Sequence, residues 1–185
     1  MTNTIFDFIG DNSGEWEVTS MTTLKGSPIE PVSHLTKTPQ NDLVLSDTGV
    51  WSLKGIISNL RYTEKEDKDK LTAVQEDLGR ANSTLAAFIP IRKSEAWWNL
   101  AQDERRKIME SKSQHTQTGM KYLPAIARKL FHSRDIGGAF DFLTWFEYAP
   151  AYADAFEELL DSLRKTEEWT YVNREIDIRL KKVQL

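Results

Sequence analysis

The chain contains no cysteine. Disulfides, thiolate metal sites and cysteine nucleophiles are therefore excluded. Long apolar runs are missing too: no stretch approaches the ~20 apolar residues that span a bilayer. The opening residues, MTNTIFDFIGDNSGEWEV, carry neither a basic start nor the apolar segment of a secretory signal. The expectation is a cytoplasmic protein with no membrane association. No charge of one sign dominates. With 24 basic against 28 acidic residues the net charge is −4, which argues against broad binding of nucleic acid or acidic membranes. A small anion is not excluded, because it feels the local field of a pocket rather than the global sum. No GxGxxG-type fingerprint is apparent.

What is present fits one globular unit: 185 residues, 39% hydrophobic and 28% charged, enough for a substantial core. Residues 1–48 read as an irregular N-terminal arm with a short strand within 14–24, because 26–47 is rich in Pro, Ser, Thr and Asn. Residues 49–185 read as the regular domain. Strands are expected at 50–62, at 84–91 with Pro90 at its end, and at 126–133, 140–148 and 174–180. Helices are expected at 63–79, opened by a Thr63/Glu66 capping box, at 94–118 in two pieces joined near Gln102, and from Pro150 onward. The last of these carries an apolar stripe of Ala155, Phe156, Leu159, Leu160 and Leu163. The strand at 140–148 puts Phe140, Phe142, Thr144, Phe146 and Tyr148 on one face, with Asp141, Leu143, Trp145 and Glu147 on the other. This order suggests an α+β fold with ferredoxin-like packing, an antiparallel sheet with helices on one face.

The segment HTQTGMKYLPAIARKLFHS, His115 to Ser133, is the most informative. Of three histidines, His34 falls in the irregular arm and His132 at a strand end. His115 lies on a helix seven residues beyond Ile108, within ~20° of it on the helical wheel, and so faces inward. Arg128 follows on a strand, where a guanidinium either points into water or offers an oxyanion a permanently charged fork of donors. Gln75 sits on the buried stripe of the helix at 63–79; burying its amide unpaired would cost ~1–3 kcal/mol.

Together these blocks, running in order from about residue 50 to 182, resemble the chlorite dismutase family of haem b proteins. The resemblance implies that His115 is the proximal ligand of haem iron. Glu168 would occupy its second ring nitrogen, with adjacent Glu167 as the alternative that helical phase from Leu163 favours. Lys93 would bond the same carboxylate or a propionate. Arg128 becomes the distal cation that retains the anion, and Gln75 hydrogen-bonds it. Asn59 and Tyr62 (SNLRYTEKE) meet the haem propionates, and Thr144 and Phe146 line the distal pocket. Trp97, of the pair Trp97–Trp98 (KSEAWW), stands beside the proximal side and the subunit interface. The implied cofactor is haem b, iron protoporphyrin IX, held without covalent attachment because Cys-x-x-Cys-His is absent. The implied substrate is chlorite, converted to chloride and O2 by oxygen-atom transfer to ferric haem and O–O bond formation. The implied assembly is a homodimer, in the compact branch of the dimeric α+β barrel superfamily. Rival readings are a coproheme decarboxylase or haem peroxidase of the same superfamily, the former often with a neutral residue where Arg128 stands, and a non-enzymatic haem-binding stress protein.

Overall fold

The computed structural model describes residues 4–40, 49–57, 77–122 and 124–184. The expected helix at 63–79 lies outside them up to residue 76. Among the described residues eight strands are formed: β1 Ile5–Asp11, β2 Trp16–Lys25, β3 His34–Pro39, β4 Trp51–Ile57, β5 Leu85–Lys93, β6 Ile126–His132, β7 Phe142–Tyr148 and β8 Val172–Lys182. They close into a barrel in the order β1-β3-β2-β8-β5-β7-β6-β4, and every pairing is antiparallel. The fold is thus α+β as expected, but the sheet is closed. Residues 1–48, read as an irregular arm, supply the three strands that join β8 to β4. Their apolar residues Phe8, Trp16 and Leu35 are buried, which removes the edges an open sheet would leave unpaired.

Alternation along each strand separates two cores. Inside the barrel lie Phe8, Trp16, Phe88, Phe131, Leu143, Trp145 and Ile178. Outside, Ala87, Ile89, Ile91, Phe142, Phe146 and Tyr148 pack under a helix carrying Phe156, Leu159, Leu160 and Leu163. That helix follows a single 3-10 turn at Pro150–Tyr152. Ala155 of the expected stripe is only partly buried. Phe140 departs from the expected face: it precedes β7 and joins the inner core. Pro90 falls inside β5 rather than at its end, and the β5–β8 ladder skips Ile89 and Pro90 where the ring lacks an amide.

Among the described residues the helices are α1 Glu95–Asn99, α2 Gln102–Arg106, α3 His115–Met120 and α4 Ala153–Arg164, with a π-helical stretch at Lys107–Lys112 running on from α2. The region 94–118 is therefore broken twice, near Leu100 and again at Ser113–Gln114. From β5 onward the chain runs strand, helices, strand, strand, helix, strand, with sheet order β8-β5-β7-β6. Among the described residues no helix is long and apolar enough to cross a membrane.

Beneath α4 the outer face of β8 is charged. Arg164 donates from Nε to Glu175 at 2.8 Å and from Nη2 to Asp177 at 2.8 Å. Trp169 Nε1 donates to Glu175 at 2.8 Å. Burial opposes ionisation of Asp177, yet bonds from Arg179 and Arg164 hold its carboxyl below its ordinary range. Glu175 and Asp177 are 1% and 5% exposed, so neither can turn to water when its partner is lost. Arg164→Met is expected to destabilise the fold by about 3 kcal/mol, read as a lower midpoint in urea denaturation with an unchanged slope.

Candidate functional site

Directly paired residues of antiparallel strands share a face, so the outer face of the sheet can be read in rows. Arg128 pairs with Phe146, and Phe146 with Ala87; Leu130 pairs with Thr144, and Thr144 with Ile89; His132 pairs with Phe142, and Phe142 with Ile91. Within these three rows Arg128 is the one permanently charged residue; on β8 the same face continues with Arg179 opposite Ala87 and Glu175 opposite Ile91. Leu130 at its edge is 37% exposed.

Above this floor stands α3, whose first residue is His115. Its Nδ1 lies 2.7 Å from Glu168 Oε2. Lys93 Nζ approaches the other oxygen, Oε1, at 2.6 Å. Glu168 and Lys93 are 3% and 4% exposed, whereas the His115 side chain is 23% exposed. Burial disfavours the Glu168 carboxylate, but His115 and Lys93 more than offset it and hold its pKa down at about 2. An ionised carboxylate can only accept, so the imidazole donates from Nδ1 and Nε2 is left for an outside ligand. Burial lowers the Lys93 pKa, against the pull of Glu168 and Asp141. Of the two adjacent acids, Glu167 is exposed and pairs with Lys112 at 3.1 Å instead. Helical phase from Leu163 misleads here because α4 ends at Arg164 and Glu168 opens a 3-10 turn, Glu168–Tyr171.

Arg128 reaches the same gap from below. A methyl group on Gly119 would fall 3.0 Å from Arg128 Nη1 and 3.2 Å from Cζ and Nη2. Gly119 is four residues beyond His115, on the same side of α3. The missing side chain at Gly119 is what lets the guanidinium meet the histidine's helix. Burial lowers the Arg128 pKa while the carboxylates of Glu110 and Glu168 raise it; an arginine keeps its charge throughout. The family resemblance implies the two groups on opposite sides of one porphyrin; here the guanidinium reaches across to the helix of His115.

Trp97 is 1% exposed, with Lys93 Nζ 3.6 Å from its ring centre and Tyr171 at 5.4 Å. Its buried Nε1 has no hydrogen-bond partner among the described residues. Trp98 stacks on Phe142 at 6.1 Å and donates to Asp141 Oδ2 at 3.1 Å. Asn59, Tyr62 and Gln75 lie outside the described residues. Two contributors escaped the sequence reading. Asp141 accepts from both Lys93 N and Trp98 Nε1, and Arg80 donates to the carbonyls of Pro124 and Ala125 at 2.8 and 2.9 Å, pinning the link between α3 and β6. Neither carries a local signal, since an acid in a strand and an arginine after Gly79 both read as solvated.

The fold and site define an all-antiparallel α+β barrel with a carboxylate-backed imidazole outside it, facing a cationic, largely apolar floor. A profile of the chlorite dismutase family matches residues 33–182. The chain is 52% identical to a dimeric chlorite dismutase from Nitrobacter winogradskyi, with a TM-score of 0.89 over 96% of this chain and 99% of that one. It is 26% identical to the chlorite dismutase from Candidatus Nitrospira defluvii solved in complex with imidazole, with a TM-score of 0.58 over 80% of this chain and 56% of that one. Over 122 residues it is 34% identical to a chlorite dismutase from Ideonella dechloratans, 65% of this chain and 41% of that protein. The chain therefore spans less than half the length of that curated relative. It belongs to the chlorite dismutase family.

Because the folded-state pKa of Glu168 is depressed, the stability it contributes is fully present above its ordinary value of 4.5 and is lost as pH falls through about 2. The stability gap between the parent chain and Glu168→Gln is expected to be roughly 3 kcal/mol near neutrality, and to close between pH 4.5 and 2 in urea titrations at stepped pH.

Proposed function

We propose that the chain holds haem b between α3 and the outer face of the sheet and converts chlorite to chloride and molecular oxygen. The observation that carries the reading is the Lys93–Glu168–His115 chain of bonds facing the floor of Arg128, Leu130, Thr144 and Phe146. The donor set suits a porphyrin. It offers one imidazole with Nδ1 engaged and Nε2 left over, an apolar floor, and the buried Nε1 of Trp97 nearby, which has no partner among the described residues. Among the described residues no three His, Cys, Asp or Glu converge as a metal cluster; the donor this reading uses is the His115 imidazole.

In this reading His115 ligates through Nε2. Glu168 holds the ring in one tautomer and raises its donor strength, and Lys93 keeps Glu168 in place. Bound haem supplies the iron at which the oxygen-atom chemistry of chlorite takes place. Arg128 holds the anion by charge-assisted bonds over a floor that excludes water. For a porphyrin to lie between them, the guanidinium would leave Gly119. Gln75 steadies Arg128, while Asn59 and Tyr62 meet the propionates. The unit from β5 to β8 is ferredoxin-like, and the protein pairs into a homodimer; the name of the Nitrobacter winogradskyi relative supports dimerisation.

Haem-loaded protein given chlorite on an oxygen electrode should evolve oxygen rapidly; slow bleaching without oxygen would reject the activity. Arg128→Ala should still take up haem, yet complete about tenfold fewer turnovers before inactivation. Equal totals in the two proteins would remove the anion-holding role.

A further inference from the structure

Among the described residues, Gln114 is the one non-glycine with positive φ, at φ 48 and ψ 40. A left-handed residue with a side chain costs ~1–2 kcal/mol, and such strain persists where the surroundings impose it. Immediately before it lies the π-helical stretch Lys107–Lys112, closed by Ser113 N–H on Ile108 O at 3.0 Å. Gln114 N–H then reaches Glu110 O at 3.2 Å, and α3 restarts with Thr118 N–H on Gln114 O at 2.9 Å.

This break has a geometric result that a regular helix denies. Residues two apart on an α-helix point to nearly opposite sides. Here Ser113 and His115 both meet Glu168: the buried Ser113 Oγ accepts the Glu168 N–H at 3.2 Å, while His115 takes its carboxylate at 2.7 Å. Lys112 adds its pair with Glu167 at 3.1 Å. The turn before α3 is thus sewn to the acidic turn at both its backbone and its side chains.

We propose that Ser113 and Gln114 are positioning residues for His115. The left-handed residue turns positions 113 and 115 toward one acidic turn, and the Ser113 hydroxyl fixes the main chain of Glu168 so that its carboxylate meets Nδ1 squarely. The functional consequence rests on His115 being the haem ligand proposed above; the positioning itself does not.

The test compares Ser113→Ala and Gln114→Val with the conservative Ser113→Thr and Gln114→Gly, which keep the hydroxyl and the left-handed turn respectively. In ferrous haem-loaded protein, resonance Raman should show the iron–imidazole stretch moved to lower frequency in the first two. Their haem loss should be roughly tenfold faster, and both readouts should stay at parent values in the conservative pair. Ser113→Ala and Gln114→Val matching the parent in both would overturn the proposal. The haem-free full chain separates this from the parent reading: the Nδ1 proton of His115, followed by NMR, should exchange at least about tenfold faster in Ser113→Ala than in the parent or Ser113→Thr. A parent chain that refuses haem overturns the proposed function, and the proton readout then still decides the positioning. Equal exchange in all three rejects it.

Discussion

A carboxylate removed from water must find compensation within the protein, and at Glu168 that compensation comes from opposite directions in the chain. Lys93 arrives from the end of β5, His115 from the start of α3, and the Ser113 hydroxyl takes the Glu168 amide. Burial alone would favour the neutral acid; the two donors reverse this and hold the group ionised. Losing one donor leaves an uncompensated charge in a dry place, far more costly than any single bond gained. The geometry of the site follows from this one satisfied anion: it ties the sheet, the broken helix and the turn after α4 to one point.

The barrel divides its labour by face. Its interior is an aromatic core in which Phe8, Phe88, Phe131 and Trp145 contact one another at 4.6 to 6.0 Å. The outer face is shared between a helix-covered half under α4 and the half that α3 overhangs. Arg128 can occupy that second half because Gly119 yields the space. Arg80 holds the α3–β6 link from outside, so the separation between His115 and Arg128 does not depend on the short α3 alone.

How much was legible varies with the physics of each element. Strand β7 was readable because alternation of large apolar residues is a local signal; Phe140 was misplaced because the strand starts two residues later. Strands β1 and β3 were missed, since β3 is a six-residue HLTKTP with one fully buried side chain. The inward phase of His115 was inferred from an unbroken helix through Ile108. The chain instead reaches that orientation through a π-helical stretch and a left-handed residue, neither of which composition announces. For the choice between Glu167 and Glu168, helical phase pointed to the wrong carboxylate contact, because the helix had already ended. Asn59, Tyr62 and Gln75 stand on the family resemblance, outside the described residues.

Resemblance to the chlorite dismutase family singled out His115 and Arg128; the amino-acid sequence by itself determined the α+β class, the main strands of the second half and the absence of thiol chemistry. These are local properties, set by side-chain period and residue type. Closure of the barrel, the selection of Glu168 over its neighbour, and the approach of Arg128 to Gly119 on the helix of His115 were decided by tertiary structure. Each depends on which distant groups can satisfy a buried charge or an unpaired strand edge, and only the folded chain brings those groups together.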